Sequence, residues 1–121
     1  MVHARGPDLT RLFQLLFWGA VAAILFFTLR PITVVVPGSD KTQHAISFGL
    51  LMLLAAPAFP RARPVNLAVA LSALGAAIEF IQPYFGRSDD IRDWVADTIG
   101  IAIALFPVLV GRRLLMRSKQ V

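Results

Sequence analysis

Four apolar runs, separated by short polar segments, dominate the pattern along the chain. They extend over Leu12–Leu29, Thr42–Phe59, Val65–Ile81 and Trp94–Val110. A helix rises about 1.5 Å per residue, so runs of this length approach the roughly 30 Å of hydrocarbon in a bilayer. The alternation that a membrane β-barrel needs is absent from these runs. The pattern therefore predicts an all-α, four-helix transmembrane bundle, formed by a single domain over residues 1–121.

The composition supports this class and excludes several others. Hydrophobic residues make up 57% of the chain and charged residues 16%, against about 45–50% and about 25% in typical soluble domains. So little charge with so much apolar content is the reverse of a disordered composition. The chain has no cysteine, which excludes a disulfide scaffold, thiolate metal ligands and a cysteine nucleophile.

Basic residues are divided unequally between the two sides that four spans define. Eight lie near the N-terminus, between the second and third runs, or after the fourth run: Arg5, Arg11, Arg61, Arg63, Arg112, Arg113, Arg117 and Lys119. Four lie in the other two loops or at their edges: Arg30, Lys41, Arg87 and Arg92. The positive-inside rule therefore predicts that both termini are cytoplasmic. Because the positive charges flank apolar runs, we expect membrane lipids as partners and no nucleic acid.

Ionisable and amide side chains concentrate at one end of the predicted bundle. They are Asp40, Lys41, His44, Glu79, Gln82, Arg87, Asp89, Asp90, Arg92, Asp93 and Asp97. Within each helix several of them are three or four residues apart and so share a face, and two aspartates, Asp40 and Asp90, stand where helix caps are expected. Ionisable groups inside a span usually face the bundle interior and pair with one another. We therefore predict that these side chains meet in one polar pocket at the outer face.

The residue types in this pocket indicate their roles. His44, Glu79 and Asp93 are candidate acid–base residues. Six further residues are candidate binding residues, and among them Lys41 and Arg87 suit an anionic phosphate or carboxylate: Asp40, Lys41, Gln82, Arg87, Asp90 and Asp97. With one histidine in the cluster, no metal site is predicted, and no cofactor is expected. An ordinary ion-pair network that only stabilises the bundle has the same composition, so that interpretation stays open.

Three motifs contain most of these residues. Asp40-Lys41-x-x-His44-x-x-x-Phe48 begins the second helix, Glu79-x-x-Gln82-x-x-x-x-Arg87 ends the third, and Asp90-x-x-Asp93-x-x-x-Asp97-x-x-Gly100 begins the fourth. Their order and spacing resemble the VanZ-like family of small bacterial membrane proteins. The resemblance covers about half of the chain. The family usually has asparagine at the position of Asp97, so a carboxylate there adds charge to the pocket or is protonated.

The resemblance implies a multi-pass protein of the bacterial inner membrane. It also implies that the outward site binds or processes a cell-envelope component, either a lipid head group or a peptidoglycan precursor, and that the protein is linked to resistance to teicoplanin-type glycopeptides. Two alternatives remain: a small proton-coupled transporter and a purely structural membrane protein. Glu79 lies near the end of its run, which disfavours the transporter, because a proton-carrying acid is expected near mid-span. Catalysis and oligomeric state stay open.

Overall fold

The computed structural model describes residues 7–29, 40–86 and 90–119 of the chain. These ranges form four helices, α1 (Pro7–Leu29), α2 (Asp40–Ala58), α3 (Pro64–Ile81) and α4 (Ile91–Lys119), with a short 3₁₀ turn over Gln82–Phe85 after α3. No strand occurs within the described ranges. The predicted all-α, four-helix fold is confirmed.

The bounds of α4 differ from the predicted run at both ends. The helix begins before Trp94, because Asp90 caps it: the backbone N–H of Arg92 donates to Asp90 Oδ1 over 3.0 Å. It continues past Pro107 and Val110 through the basic segment that follows, since arginine and leucine are good helix formers. The predicted cap at Asp90 is confirmed, and the basic segment extends α4 beyond the apolar run.

Among the residues that the structure describes, three helical segments are long and apolar enough to cross a membrane. They are Leu9–Leu29, Pro64–Phe85 and Ile91–Ser118. Large apolar side chains such as Phe80, Ile103 and Phe106 are exposed on their surfaces, as expected where lipid is the solvent. The chain is therefore a membrane protein. α2 is not among the three segments, because its first turn, Asp40 to His44, is polar; a fourth span at α2 stays a prediction.

α2 is the most deeply buried helix of the bundle. It packs most extensively against α4 and also contacts α1 and α3. Its side chains Phe48, Leu51, Met52 and Ala55 are almost completely buried. Because other helices surround these residues, α2 can carry a polar first turn that also points into the protein.

Gly100 sets how closely α2 and α4 approach each other. A Cβ atom at this position would overlap the backbone carbonyl oxygen of Ala45. One turn further along α2, a Cβ at Gly49 would lie 3.2 Å from the Gly100 carbonyl oxygen. The two backbones are thus in direct contact, which places the first turns of α2 and α4 side by side.

Candidate functional site

The first turns of α2 and α4 are joined by a shared ammonium group. Lys41 Nζ lies 2.7 Å from Asp93 Oδ1 and 3.1 Å from Asp90 Oδ2. These two carboxylates, Asp93 first, raise the pKa of the Lys41 ammonium above its ordinary value. The backbone N–H of Arg92, followed by Lys41, lowers the pKa of Asp90 to about 2. Both groups are therefore ionised at neutral pH and hold each other in place.

His44 continues this network into the bundle. Its Nδ1 atom lies 2.7 Å from Asp97 Oδ1, and its Nε2 atom lies 3.7 Å from Asp93 Oδ2. All three side chains are buried, and Asp97 is only 1% exposed. An imidazolium can donate from both nitrogens, so the protonated ring suits two flanking carboxylates better than the neutral ring does. When His44 is protonated, its positive charge lies between the two carboxylates.

Glu79 brings α3 into the same cluster. Its Oε2 atom accepts a hydrogen bond from the backbone N–H of Asp90 over 2.8 Å. Near the C-terminus of α3 a carboxylate is disfavoured by its own helix dipole, but here it lies beside the N-terminus of α4, where negative charge is favoured. Glu79 is 9% exposed, and its other oxygen, Oε1, has no hydrogen-bond partner among the described residues.

The absence of a side chain at position 75 lets α3 approach the buried end of this network. A Cβ atom on Gly75 would lie 2.7 Å from Asp97 Oδ2. Asp97 is therefore enclosed by the backbone of α3 on one side and by His44 of α2 on the other. Three helices contribute to its surroundings, which is why a single helix face could not reveal them.

The structure brings together six of the nine residues to which the sequence analysis assigned candidate roles. We call their location the acidic end of the bundle: Lys41, His44, Glu79, Asp90, Asp93 and Asp97. Gln82 is fully buried nearby, but it points toward α1, where its Nε2 donates to the carbonyl oxygen of Thr28 over 3.1 Å. The side chain of Asp40 and the whole of Arg87 lie outside the described residues. The roles assigned to all nine residues stay predictions.

Among the described residues, carboxylates outnumber cations at the acidic end. Its four carboxylates are offset in part by Lys41, by His44 when protonated, and by Arg92, whose Nε lies 3.2 Å from Asp90 Oδ1. Because Lys41 already pairs with two carboxylates, an incoming anion would have to compete with them. Within the described parts of the chain, no group of three or more His, Cys, Asp or Glu side chains is arranged to hold a metal ion.

An apolar groove lies beside Glu79, between α3 and α4. It is lined by Ala76, Glu79 and Phe80 from α3 and by Ile91 and Trp94 from α4, and its volume is about 360 Å³. Trp94 is fixed in its wall, since its indole Nε1 donates to the carbonyl oxygen of Ser72 over 3.0 Å. The groove opens on the surface that faces lipid in a membrane, where Phe80 and Ile91 are exposed.

The opposite end of the bundle contains polar contacts that the sequence analysis missed. We call it the Arg112 end. The Arg112 guanidinium donates to the carbonyl oxygens of Ala62, Phe59 and Ala56 over 2.7, 3.2 and 2.8 Å, and Gln14 Nε2 donates to the Ala58 carbonyl over 3.0 Å. Arg112 enters the sequence analysis only in the count of basic residues that predicts topology. The feature that could have indicated its contacts is the end of α2, because the last four carbonyl oxygens of a helix have no donor within that helix.

Comparison with protein-family models, with curated proteins and with solved structures found no match for this chain. The resemblance to the VanZ-like family therefore stays a prediction from the three motifs.

Proposed function

We propose that this chain is a VanZ-like protein of the bacterial inner membrane. Its acidic end binds the head group of a cell-envelope component, either a membrane lipid or a lipid-linked peptidoglycan precursor, at the outer face. Through this binding it affects sensitivity to teicoplanin-type glycopeptides. The proposal favours binding over chemistry, because both ring nitrogens of His44 face carboxylates, an arrangement that holds a charge rather than one that activates a hydroxyl group.

The observation that supports this proposal most is the burial of the ion-pair network in a membrane bundle. His44, Asp93 and Asp97 are each less than 9% exposed. Buried ion pairs seldom stabilise a protein more than apolar residues of similar size would, and ionisable residues inside membrane proteins usually mark functional sites. A ligand whose polar group reaches this network accounts for residues that stability alone does not require.

Lipid retention by the purified full-length chain tests the binding function. Asp93→Asn keeps the size of the side chain but removes a charge that faces both Lys41 and His44. We expect this variant to retain about tenfold less of the bound lipid, the factor that about 1.4 kcal/mol of lost interaction produces. Mass spectrometry of the co-purified lipids measures the effect. Arg113→Gln, an exposed change at the other end of α4, is the matched control.

Two outcomes separate binding from a structural role. If Asp93→Asn melts at the parental temperature and retains parental amounts of every lipid, the binding function is wrong. If the purified parent retains no lipid above the level of a detergent blank, the binding function is also wrong. A parallel test in a teicoplanin-sensitised strain compares Asp93→Asn with Arg113→Gln at equal membrane levels, and we expect only the former to change sensitivity.

The orientation is tested with single cysteines, since the chain has none of its own. Tyr84 is exposed beside the acidic end, and Ser118 is exposed at the far end of α4. With an impermeant thiol reagent on whole cells, we expect Tyr84→Cys to be labelled and Ser118→Cys to be protected. The reverse labelling would place the acidic end in the cytoplasm and contradict an envelope ligand.

A further inference from the structure

One residue that lines the groove between α3 and α4, Glu79, has a buried oxygen that lacks a partner among the described residues. Glu79 supplies the polar wall of the groove, while Ala76, Phe80, Ile91 and Trp94 supply apolar or aromatic walls. Glu79 Oε2 is occupied by the Asp90 backbone N–H, but Oε1 is buried and unpartnered among the described residues. A buried acceptor without a donor costs about 1–3 kcal/mol, so a hydrogen-bond donor from a ligand would be stabilised there.

The position of the groove indicates where such a ligand comes from. Its volume of about 360 Å³ lies in the range of small-molecule sites. Two of its lining residues, Phe80 and Ile91, are exposed, and both lie in segments apolar enough to cross a membrane. A molecule already in the bilayer can place an apolar chain against this surface without first leaving the membrane. The groove therefore favours an amphiphile over a water-soluble ligand.

The charge next to Glu79 indicates the sign of the head group. Asp90, Asp93 and Asp97 lie in the same cluster, and the cations of this cluster that the structure describes already pair with these carboxylates. An ammonium group adds a donor and a positive charge beside Glu79, whereas a head group with only a phosphate adds negative charge to a region that has an excess of it.

We propose that the α3–α4 groove binds an aminophospholipid of the phosphatidylethanolamine class, with its ammonium group on Glu79 Oε1 and an acyl chain along Ala76 and Trp94. This inference rests on the proposed function and names its ligand class and its route of entry. The lipid enters sideways between two helices, and Glu79 is the residue that selects an amine.

Tryptophan fluorescence tests this proposal directly, because the chain has only two tryptophans. Trp18→Phe leaves Trp94, in the groove wall, as the single reporter. The full-length variant is placed in phosphatidylcholine nanodiscs that contain phosphatidylethanolamine or phosphatidylglycerol, brominated near the ester end of the acyl chains. We expect the ethanolamine lipid to quench Trp94 at a roughly tenfold lower mole fraction, as one charge-assisted hydrogen bond would produce. Trp94→Phe leaves Trp18 on exposed α1 surface, and this control should show no preference.

Two matched pairs of variants locate the lipid. Ala76→Phe fills the groove and should weaken quenching by both lipids, whereas Ala77→Phe, on the exposed face of the same helix, should not. Glu79→Gln should remove the preference for ethanolamine and keep quenching itself. Equal quenching by the two lipids in the Trp18→Phe chain overturns the amine assignment, and parental quenching in Ala76→Phe overturns the groove assignment. Neither of these readouts depends on a variant of Glu79 that could fail to fold.

Failure of this inference is distinguishable from failure of the proposed function. If Asp93→Asn lowers lipid retention while Trp94 shows no preference, the acidic end binds a lipid and the amine assignment is wrong. If Trp94 prefers ethanolamine while Asp93→Asn retains lipid normally, the groove binds the amine and the proposed role of the ion-pair network is wrong.

Discussion

The two ends of the bundle use polar side chains in different ways. At the Arg112 end, Arg112 and Gln14 donate to backbone carbonyl oxygens at the end of α2 and in the segment that follows it. At the acidic end, Lys41 and His44 bond to other side chains, and one oxygen of Glu79 has no partner within the described residues. One set of side chains completes a helix end, and the other set forms a network of its own.

This difference distinguishes side chains that complete the fold from side chains that form a candidate site. The last four carbonyls of any helix lack partners within that helix, so donors such as Arg112 are needed whatever the protein does. No comparable requirement explains a histidine between two buried aspartates. In a membrane protein, the hydrogen-bond or ion-pair partner of a polar side chain therefore says more about the role of that side chain than its residue type does.

The largest expected effect is the loss of the imidazole between the buried aspartates. His44→Leu removes it from between Asp97 and Asp93, and we expect about 3–5 kcal/mol of lost stability. In His44→Leu/Asp97→Leu the buried carboxylate that lies 2.7 Å from His44 is removed as well, so part of the loss should be recovered. Unfolding in a denaturing detergent titration measures both variants. If His44→Leu is as stable as the parent, electrostatic attraction between His44 and the two aspartates does not stabilise the protein.

A smaller effect is expected where the backbones of α2 and α4 touch. Gly100→Ala puts a methyl group against the Ala45 carbonyl, and overpacking of this kind costs about 1–3 kcal/mol. The same substitution at Gly19 of α1 meets nothing within 4 Å and should not destabilise the protein. The two variants are compared by thermal melting in micelles. Equal melting temperatures would contradict the close contact.

At the Arg112 end we expect a loss of stability without a loss of lipid. Arg112→Lys keeps the charge but cannot reach the carbonyls of Ala56, Phe59 and Ala62 in the same forked geometry. The expected cost is about 1 kcal/mol, with parental lipid retention. Arg113→Lys, one residue further and exposed, is the control. A change in the retained lipid for Arg112→Lys alone would show that this end also takes part in binding.

The smallest effect concerns acid pH. The Arg92 backbone N–H, the Lys41 ammonium and the Arg92 guanidinium lower the pKa of Asp90 from 3.8 to about 2. The ionised carboxylate therefore stabilises the fold above pH 3.8, and this contribution is lost as the pH falls toward 2. Asp90→Asn cannot titrate, so the parent should be more stable at neutral pH and the difference should shrink over that interval. For Arg113→Gln the difference from the parent should not depend on pH over the same interval.

The helices and the clustering of charge were predictable because both follow from periodicity. Apolar runs indicated four helices, and spacings of four residues placed Asp40 and His44 on one face of α2 and Asp93 and Asp97 on one face of α4. The α2–α4 pairing then needed only the rule that buried charges pair in membranes.

Contacts that involve the backbone or a neighbouring helix were not predictable in this way. A spacing of three residues leaves side chains roughly 60° apart around a helix, so Glu79 reaches α4 while Gln82 reaches α1. The partner of Glu79 is a backbone N–H, which leaves no trace in residue types. Arg112 likewise donates to backbone carbonyl oxygens. A basic residue after an apolar run is equally well explained by the positive-inside rule, so the sequence does not distinguish the two roles.

The backbone contact between α2 and α4 restricts how these two helices can move. With Gly100 against Ala45, these two helices meet without intervening side chains, and they can neither slide nor separate slightly without breaking that contact. α3 is joined to α4 by side-chain contacts instead, through Glu79, Ser72 and Thr98. The groove between α3 and α4 can therefore widen through a shift of α3 while the contact between α2 and α4 stays intact.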